Sequence, residues 1–250
     1  MQQPTLSVIT VCYNAREELR RTLVSVLAQT YPHIEYIVID GASTDGTAAL
    51  LKEWAGCIDQ VVSEPDDGIY DAMNKGLKRA SGTYLCFLNA GDTFPSSLTV
   101  AKALDGIGTD LPGVIYGQTN IVDADGIFLH PRHHTAPAQL TYDSFRRGML
   151  VCHQSFYVRR DLAPLYDTRY RYSADYDWCL RVLRTSPANH YTGTVLTNYL
   201  SEGVTTQNRW PSLRERFRIM VRHYGFFGAV GAHIGIFFRR LFKKRTPERL

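Results

Sequence analysis

Short apolar runs alternate with segments of helical spacing through the first hundred residues, and this alternation limits the possible folds more than any other feature. Apolar residues between the runs recur every three or four positions, as at Leu19, Leu23 and Val26. Strands separated by helices build a parallel sheet covered on both faces. The sequence therefore predicts a three-layer α/β fold with a mostly parallel sheet. The strand-like runs are LSVITVCYN, IEYIVID, CIDQVVS and TYLCFLN.

The second half of the chain is less regular. Residues 112–130 predict two strands joined by the turn DADG, which suits a hairpin. SFYVRR predicts another strand, and DYDWCLRVLR and residues 212–224 predict helices. No repeat and no long linker divides the chain.

Polar residues follow each of the first four strands. They are Tyr13 and Asn14, Asp40, residues 64–67, and residues 89–92. Ligands bind beyond the carboxyl ends of the strands in parallel sheets, and clustered acids there can hold a divalent cation through oxygen. The phosphate loops GxGxxG and GxxxxGK[ST] are missing, which argues against a dehydrogenase and a P-loop NTPase. The pattern favours a nucleoside diphosphate held through a metal ion.

Two long stretches resemble a known family. SVITVCYNAREELRRTLVSVLAQTYPHIEYIVIDGASTDGT and SEPDDGIYDAMNKGLKRASGTYLCFLNAGD are similar to the donor-binding half of glycosyltransferase family 2, whose members are inverting enzymes with the GT-A fold. The resemblance is dense over residues 5–100 and sparse to about residue 205. It implies a GT-A domain over 1–211, with a donor half (1–100) and an acceptor half (101–211), and a C-terminal helical extension over 212–250.

The resemblance also assigns roles on the donor side. In NAGD, Asp92 matches the last acid of the family's metal motif, which implies that it binds Mg²⁺ or Mn²⁺. Gly91 and Asn89 stand where many relatives have acids. The implied donor contacts are Val11, Tyr13, Asn14, Asp40, Asp66, Asp71, Lys75 and Asn89.

On the acceptor side, SADYDWCLR resembles the family's ED motif, which makes Asp175 the candidate general base. Asp177 is an acceptor-side candidate with a structural pairing role as the alternative. His153 and Gln154 match a pair found near the acceptor pocket of such proteins. QNRW is one residue shorter than the QxxRW motif of processive synthases, so the enzyme is expected to be non-processive.

The resemblance implies an inverting transfer of a sugar from a nucleotide donor, with UDP expected, to a hydroxyl of a lipid-linked or glycan acceptor. Similar bacterial members build exopolysaccharides and other surface glycans. One alternative is an inactive nucleotide-binding scaffold of a membrane assembly, which Gly91 and Asn89 favour. Another is a sugar nucleotidyltransferase, but VCYNAREE lacks the glycines that its first loop requires.

Charge and hydropathy of the last residues predict a membrane contact. The chain has a net charge of +4, and residues 239–250 hold six basic residues and one acid. The remaining residues are therefore nearly neutral in sum, which does not suggest a nucleic-acid partner. YGFFGAVGAHIGIFF is shorter than the roughly 20 residues that span a bilayer. We expect residues 224–245 to bind an anionic membrane surface, with a core helix as the alternative.

The first residues of the chain and its cysteines indicate where the protein is located. MQQPTLSVIT lacks the basic flank and apolar run of a signal peptide. The five cysteines are scattered and form no CxxC pair, which favours free thiols in a reducing compartment. The expected location is cytoplasmic and peripheral, on the inner face of the plasma membrane.

Overall fold

The computed structural model describes residues 3–107, 110–201 and 209–243, and in the last of these ranges the side chains of 210–233. Within these ranges the chain forms one eight-stranded sheet flanked by helices. The strands are β1 (Leu6–Cys12), β2 (Ile34–Asp40), β3 (Gln60–Ser63), β4 (Tyr84–Phe87), β5 (Val114–Val122), β6 (Phe128–Pro131), β7 (Phe156–Arg159) and β8 (Asn189–Leu200). The helices are α1 (Arg16–Leu27), α2 (Thr47–Glu53), α3 (Ile69–Arg79), α4 (Thr99–Leu104), α5 (Ala174–Thr185) and α6 (Arg209–Lys243).

The sheet is mixed, with its parallel part built from the first half of the chain. The strand order is β3-β2-β1-β4-β7-β5-β6, and β8 pairs with β5. The pairs among β1, β2, β3 and β4 are parallel, whereas β7 runs antiparallel to both β4 and β5. β5 and β6 form the predicted antiparallel hairpin. The prediction of a three-layer α/β fold with a mostly parallel sheet is confirmed.

β1 shows why the first strands are almost continuously apolar. All seven of its residues are buried, and alternate side chains enter different cores. Ile9 and Val11 pack with α3 and α5 on one side, whereas Leu6 and Val8 pack with α1 on the other. Because helices cover both faces, neither face of the strand needs polar residues. The carboxyl ends of β1 and β4 are thereby held side by side.

Several elements differ from the sequence predictions. β3 is shorter than the run CIDQVVS, because a 3₁₀ turn occupies Ala55–Cys57. α4 and β8 were not predicted. β8 lies beside β5 in parallel although most of its residues are only partly buried.

The last helix is longer than predicted and is kinked. α6 runs from Arg209 to Lys243, with a non-helical residue at Gly225, whose φ of 75° favours glycine. Its first part packs on the body of the protein through the buried residues Ser212, Ile219 and Met220. In the ranges 3–107, 110–201 and 209–243, no helix is both long and apolar enough to cross a bilayer. The division of the chain at residue 211 stays a prediction.

Candidate functional site

A cavity of about 590 Å³ opens at the carboxyl ends of β1 and β4. Its lining includes residues that follow these strands and residues before and within α5. The structure therefore brings together acids that lie more than 80 positions apart in the chain. Predicted site residues that line the cavity are Val11, Tyr13, Asp66, Asn89, Asp92, His153, Gln154 and Asp175.

Asp92 is the most deeply buried of these acids, with 3% of its surface exposed. Its Oδ2 accepts a hydrogen bond from Gln154 Nε2 at 3.0 Å, and its Oδ1 accepts one from the backbone N–H of Leu200 at 3.0 Å. Burial raises the pKa of Asp92 to about 6, and these hydrogen bonds limit the rise. At neutral pH the side chain is a carboxylate in a site poor in water.

Gly91 has a structural reason to be a glycine. Its φ is 97°, and a Cβ placed there would lie 2.6 Å from Leu200 Cδ2. The tight turn is closed by a hydrogen bond from Asp92 N to Asn89 O at 2.9 Å. A side chain at position 91 would therefore strain the backbone and would require the end of the Leu200 side chain to shift.

The residues present fit a cation that takes few ligands from the protein. The Oδ1 atom of Asn89 is buried without a hydrogen-bond partner, and it lines the same cavity as the carboxylate of Asp92. No group of three His, Cys, Asp or Glu side chains suited to a metal ion occurs in the part of the chain that the structure describes. Mg²⁺ keeps several waters and binds through one or two protein oxygens plus phosphates. Asp92 and Asn89 match that ligand set.

Asp175 lies in the first turn of α5 and lines the same cavity. Its Oδ1 accepts hydrogen bonds from Tyr176 N at 2.9 Å and Tyr70 OH at 3.3 Å, and His153 Nδ1 lies 3.6 Å from its Oδ2. Burial raises the pKa of this carboxyl, but the contact with His153 and the charge of Arg216 outweigh that effect. The pKa of Asp175 therefore lies below its usual range, and the side chain is ionised and able to accept a proton.

The adjacent residues His153 and Gln154 connect the two acids. They lie in the 3₁₀ turn His153–Ser155, where the His153 ring contacts Asp175 and the Gln154 amide donates to Asp92. The Nε2 atom of His153 is buried and has no hydrogen-bond partner. One short turn thus fixes the relative position of both carboxylates.

Other predicted donor contacts lie outside the cavity lining. Asp40 is fully buried at the end of β2, where it accepts hydrogen bonds from the backbone N–H and the hydroxyl of Ser43 and from Ser63 Oγ at 2.6 Å. Asn14 Oδ1 accepts from Thr44 N at 2.8 Å. Both side chains stabilise the turn after β2, and their contact with a nucleoside stays a prediction.

Lys75 and Asp71 hold the segment before α3. Lys75 Nζ lies 3.0 Å from Glu64 Oε1 and 3.7 Å from Asp71 Oδ2, and it donates to the carbonyl of Pro65 at 2.6 Å. This segment leads to Asp66, which reaches the cavity. A direct donor contact of Lys75 or Asp71 stays a prediction.

Asp177 is fully buried and contacts two basic side chains. Its Oδ2 lies 2.7 Å from Arg181 Nε on the same helix, and its Oδ1 lies 2.8 Å from His223 Nε2 on α6. It does not line the cavity, so the structure places it in the pairing role that was its alternative. An acceptor contact stays a prediction.

Residues from α6 and its contacts were missed. Arg216 lines the cavity, and the neighbouring Glu215 accepts hydrogen bonds from the backbone N–H groups of residues 171–173 at 2.7–3.0 Å. The only sequence signal was an acid and a base on a predicted amphipathic helix, which is common on solvated surfaces. Further cavity residues without a prediction include Arg132, Arg171, Tyr172 and Tyr199.

Two relatives cover most of the chain. An uncharacterized glycosyltransferase of Mycobacterium tuberculosis is 36% identical over 188 residues, which is 71% of this chain and 68% of the relative. A PGL/p-HBAD biosynthesis glycosyltransferase of Mycobacterium bovis is 29% identical over 220 residues, or 85% and 80% of the two chains.

Solved structures match the fold at low sequence identity. S. aureus TarS in complex with UDP has a TM-score of 0.68 at 16% identity, covering 88% of this chain and 66% of that chain. The mannosyltransferase PcManGT from Pyrobaculum calidifontis, in complex with GDP-Man and Mn²⁺, has a TM-score of 0.68 at 19% identity, covering 93% and 71%. These matches confirm the GT-A fold.

The model of one protein family matches the chain over its donor half and beyond. The match extends from residue 7 to residue 163, which includes Asp92 and the turn of His153. Together with the relative that is 36% identical, it confirms the family resemblance found in the sequence. The chain belongs to glycosyl transferase family 2.

Proposed function

We propose that the protein transfers a sugar from a nucleoside diphosphate donor to an acceptor hydroxyl, with inversion, in the biosynthesis of a bacterial surface glycan. The observation that carries this proposal is the pair of acids in one cavity. Asp92 follows β4 at the strand ends, and Asp175 belongs to the first turn of α5. Their surroundings shift the two pKa values in opposite directions, which is typical of acids with different roles.

On the donor side, Asp92 and Asn89 would hold the diphosphate through Mg²⁺ or Mn²⁺. Charge neutralisation of the departing nucleoside diphosphate is the chemistry that a divalent cation supplies at such a site. Tyr13, which follows β1 and is 65% exposed, would cover the base. UDP is the proposed carrier, which is supported by the UDP complex of TarS, and the GDP-Man complex of PcManGT makes GDP the alternative to test.

On the acceptor side, Asp175 would accept the proton of the attacking hydroxyl. Attack from the face opposite the leaving diphosphate breaks the glycosidic bond in one displacement, so the configuration at the anomeric carbon inverts. The contacts of Asp175 with Tyr70 and His153 hold the carboxylate in place and keep it ionised. A positioned general base contributes roughly 10²–10⁴-fold to a rate.

Thermal shift with UDP, GDP and dTDP, each with and without Mn²⁺ or Mg²⁺, tests the donor part of the proposal. We expect one nucleotide to raise the melting temperature in the presence of metal, because a bound ligand stabilises the folded state. The same mixtures without metal are the control. No stabilisation by any nucleotide under any condition would contradict the proposal.

The alternative is a catalytically inactive scaffold that binds a nucleotide. It is favoured by one observation, the single carboxylate in the turn where many relatives have two. Metal-dependent nucleotide binding, without hydrolysis of any sugar nucleotide and without transfer to any glycan or lipid-linked acceptor, would support this alternative.

We also propose that the protein lies on the cytoplasmic face of the plasma membrane, with residues 224–245 on the anionic lipid surface. Phe226 and Phe227 follow Gly225, the kink in α6, and are 58% and 88% exposed. The basic run RRLFKKR comes after them in the sequence. Exposed aromatic side chains beside basic residues suit the interface of an anionic bilayer.

Replacing both Phe226 and Phe227 with Ser is expected to weaken binding to anionic vesicles at least about tenfold, because the apolar area that the two aromatic side chains bury in the bilayer is lost. Co-sedimentation with vesicles of anionic or neutral lipid measures this. The matched control replaces Ile127 and Phe128 with Ser, at two exposed apolar positions of the β5–β6 hairpin. Equal binding of both double variants and the wild type would argue for the core-helix alternative.

A further inference from the structure

Three arginines line the cavity, and they differ in how their guanidinium groups are used. Arg132 donates hydrogen bonds to the carbonyls of Met149 and Leu150. Arg171 and Arg216 form no ion pair with any acid in the ranges that the structure describes. The Nε atom of Arg216 is buried without a hydrogen-bond partner. A buried donor on a charged group is costly to leave unpaired. An anionic ligand bound in the cavity would give this donor a partner.

Arg216 belongs to the end of the cavity that holds Asp175. Its guanidinium carbon lies 5.9 Å from the centre of the Tyr176 ring, the residue next to the proposed base. The charge of Arg216 also helps to lower the pKa of Asp175. Because Arg216 lines the cavity and lies over the residue next to Asp175, it is on the side where the hydroxyl that Asp175 would deprotonate binds.

The two unpaired arginines are held on one wall. Glu215 on α6 accepts hydrogen bonds from the backbone N–H groups of Arg171, Tyr172 and Ser173, with distances of 2.7–3.0 Å. The loop that carries Arg171 is thus fastened to the helix that carries Arg216. A guanidinium group binds phosphate oxygens in a bidentate way, with charge-assisted hydrogen bonds.

We propose that Arg216, together with Arg171, binds a phosphoryl group of the acceptor beside Asp175. The acceptor is then a phosphorylated sugar, either free or joined through its phosphate to a lipid. This inference rests on the proposed function, because it needs a transfer reaction with a donor already bound at Asp92. It narrows the acceptor class from any glycan hydroxyl to a hydroxyl near a phosphate.

The test compares two probes by isothermal titration calorimetry, on protein saturated with UDP and Mn²⁺. Glucose 1-phosphate is the anionic probe and methyl glucoside the neutral one. We expect the wild type to bind glucose 1-phosphate at least about tenfold more tightly, which corresponds to one charge-assisted hydrogen bond. Arg216→Gln is expected to lose this preference and Arg216→Lys to keep part of it. Arg214→Gln, on the same helix but outside this cavity, is the matched control and is expected to keep it.

UDP binding is measured first for every variant, so that a failure of the proposed function is recognised before the probes are compared. A preference for the phosphorylated probe that survives in Arg216→Gln would overturn the inference. Equal or undetectable binding of both probes to the wild type would overturn it as well. If Arg216→Gln loses UDP affinity instead, the guanidinium serves the donor diphosphate and the acceptor assignment is wrong.

Discussion

Replacement of Asp175 with Asn is expected to slow sugar transfer by about 10²–10⁴-fold and to leave the affinity for the donor nucleotide unchanged. The amide has the same shape as the carboxylate and can still accept the hydrogen bonds from Tyr176 N and Tyr70 OH. It cannot accept a proton from an attacking hydroxyl at neutral pH. The rate of transfer from sugar nucleotides that carry the nucleoside diphosphate identified by thermal shift, measured together with nucleotide affinity, separates the two effects.

The matched control for this variant is Asp143→Asn. Asp143 is an exposed acid that pairs with Arg146 on the surface, outside the cavity lining, so the same chemical change there is expected to leave the rate unaltered. A rate for Asp175→Asn above one tenth of the wild-type rate would show that Asp175 is not the base. Loss of nucleotide affinity in step with the rate would point to a structural role instead.

Replacement of Asp92 with Asn is expected to abolish the metal-dependent stabilisation by UDP. At a UDP concentration of 100 times Kd, the wild type gains about 2.7 kcal/mol, which raises Tm by roughly 5–10 °C for a chain of this size. The amide brings no negative charge to the cation and should show almost none of this rise. Asp161→Asn, an exposed acid paired with Arg159, is the control and should respond as the wild type does.

The dependence of UDP affinity and stability on pH tests the role of Asp92 independently. Burial raises the pKa of Asp92 from 3.8 to about 6, so protons compete with the cation below about pH 6, and the affinity of the wild type for UDP with Mn²⁺ falls there. In the metal-free protein, the folded state holds this proton more tightly than the unfolded state. The contribution of Asp92 to stability is therefore full below about pH 4 and is lost as the pH rises through about 6.

It follows that metal-free Asp92→Asn should gain stability relative to the wild type between pH 4 and pH 7, by on the order of 3 kcal/mol. Urea unfolding of both proteins at several pH values measures the difference. Curves that stay parallel over this range would mean that Asp92 is not buried as a costly carboxylate. Metal-dependent UDP binding by Asp92→Asn at the wild-type affinity would mean that Asp92 is not a metal ligand.

The donor side of the cavity could be predicted because its residues follow directly on strands. Asp92 and Asn89 come just after β4, and Val11 and Tyr13 lie at the end of β1, so the alternation of strands and helices was enough to place them together. Asp40 has the same position in the pattern, yet its side chain turns to Ser43 and Ser63. The ends of strands predict proximity to a site, but they do not tell which side chains point into it.

Long-range contacts explain what the sequence could not reveal. Arg216 reaches the cavity because α6 returns to the start of α5, and the hydrogen bond of Glu215 to Arg171 N joins residues 44 positions apart. β8 was missed for another reason. It carries Gly193, several threonines and two asparagines, and its partial burial leaves no apolar alternation to detect.

The two attachments between α5 and α6 have a consequence for how enzymes of this kind can be recombined. The match to the family model ends at residue 163, before the helix that carries Asp175. Glu215 holds the entry to that helix, and His223 pairs with Asp177 inside it. A chimera that exchanges residues up to about 163 keeps the contacts between α5 and α6, but it must retain Tyr70 and His153, which hold Asp175. A crossover between residues 171 and 224 breaks the contacts between α5 and α6 themselves. Sequence exchange in such enzymes is therefore expected to succeed when α5 and α6 come from the same parent and Tyr70 and His153 are kept.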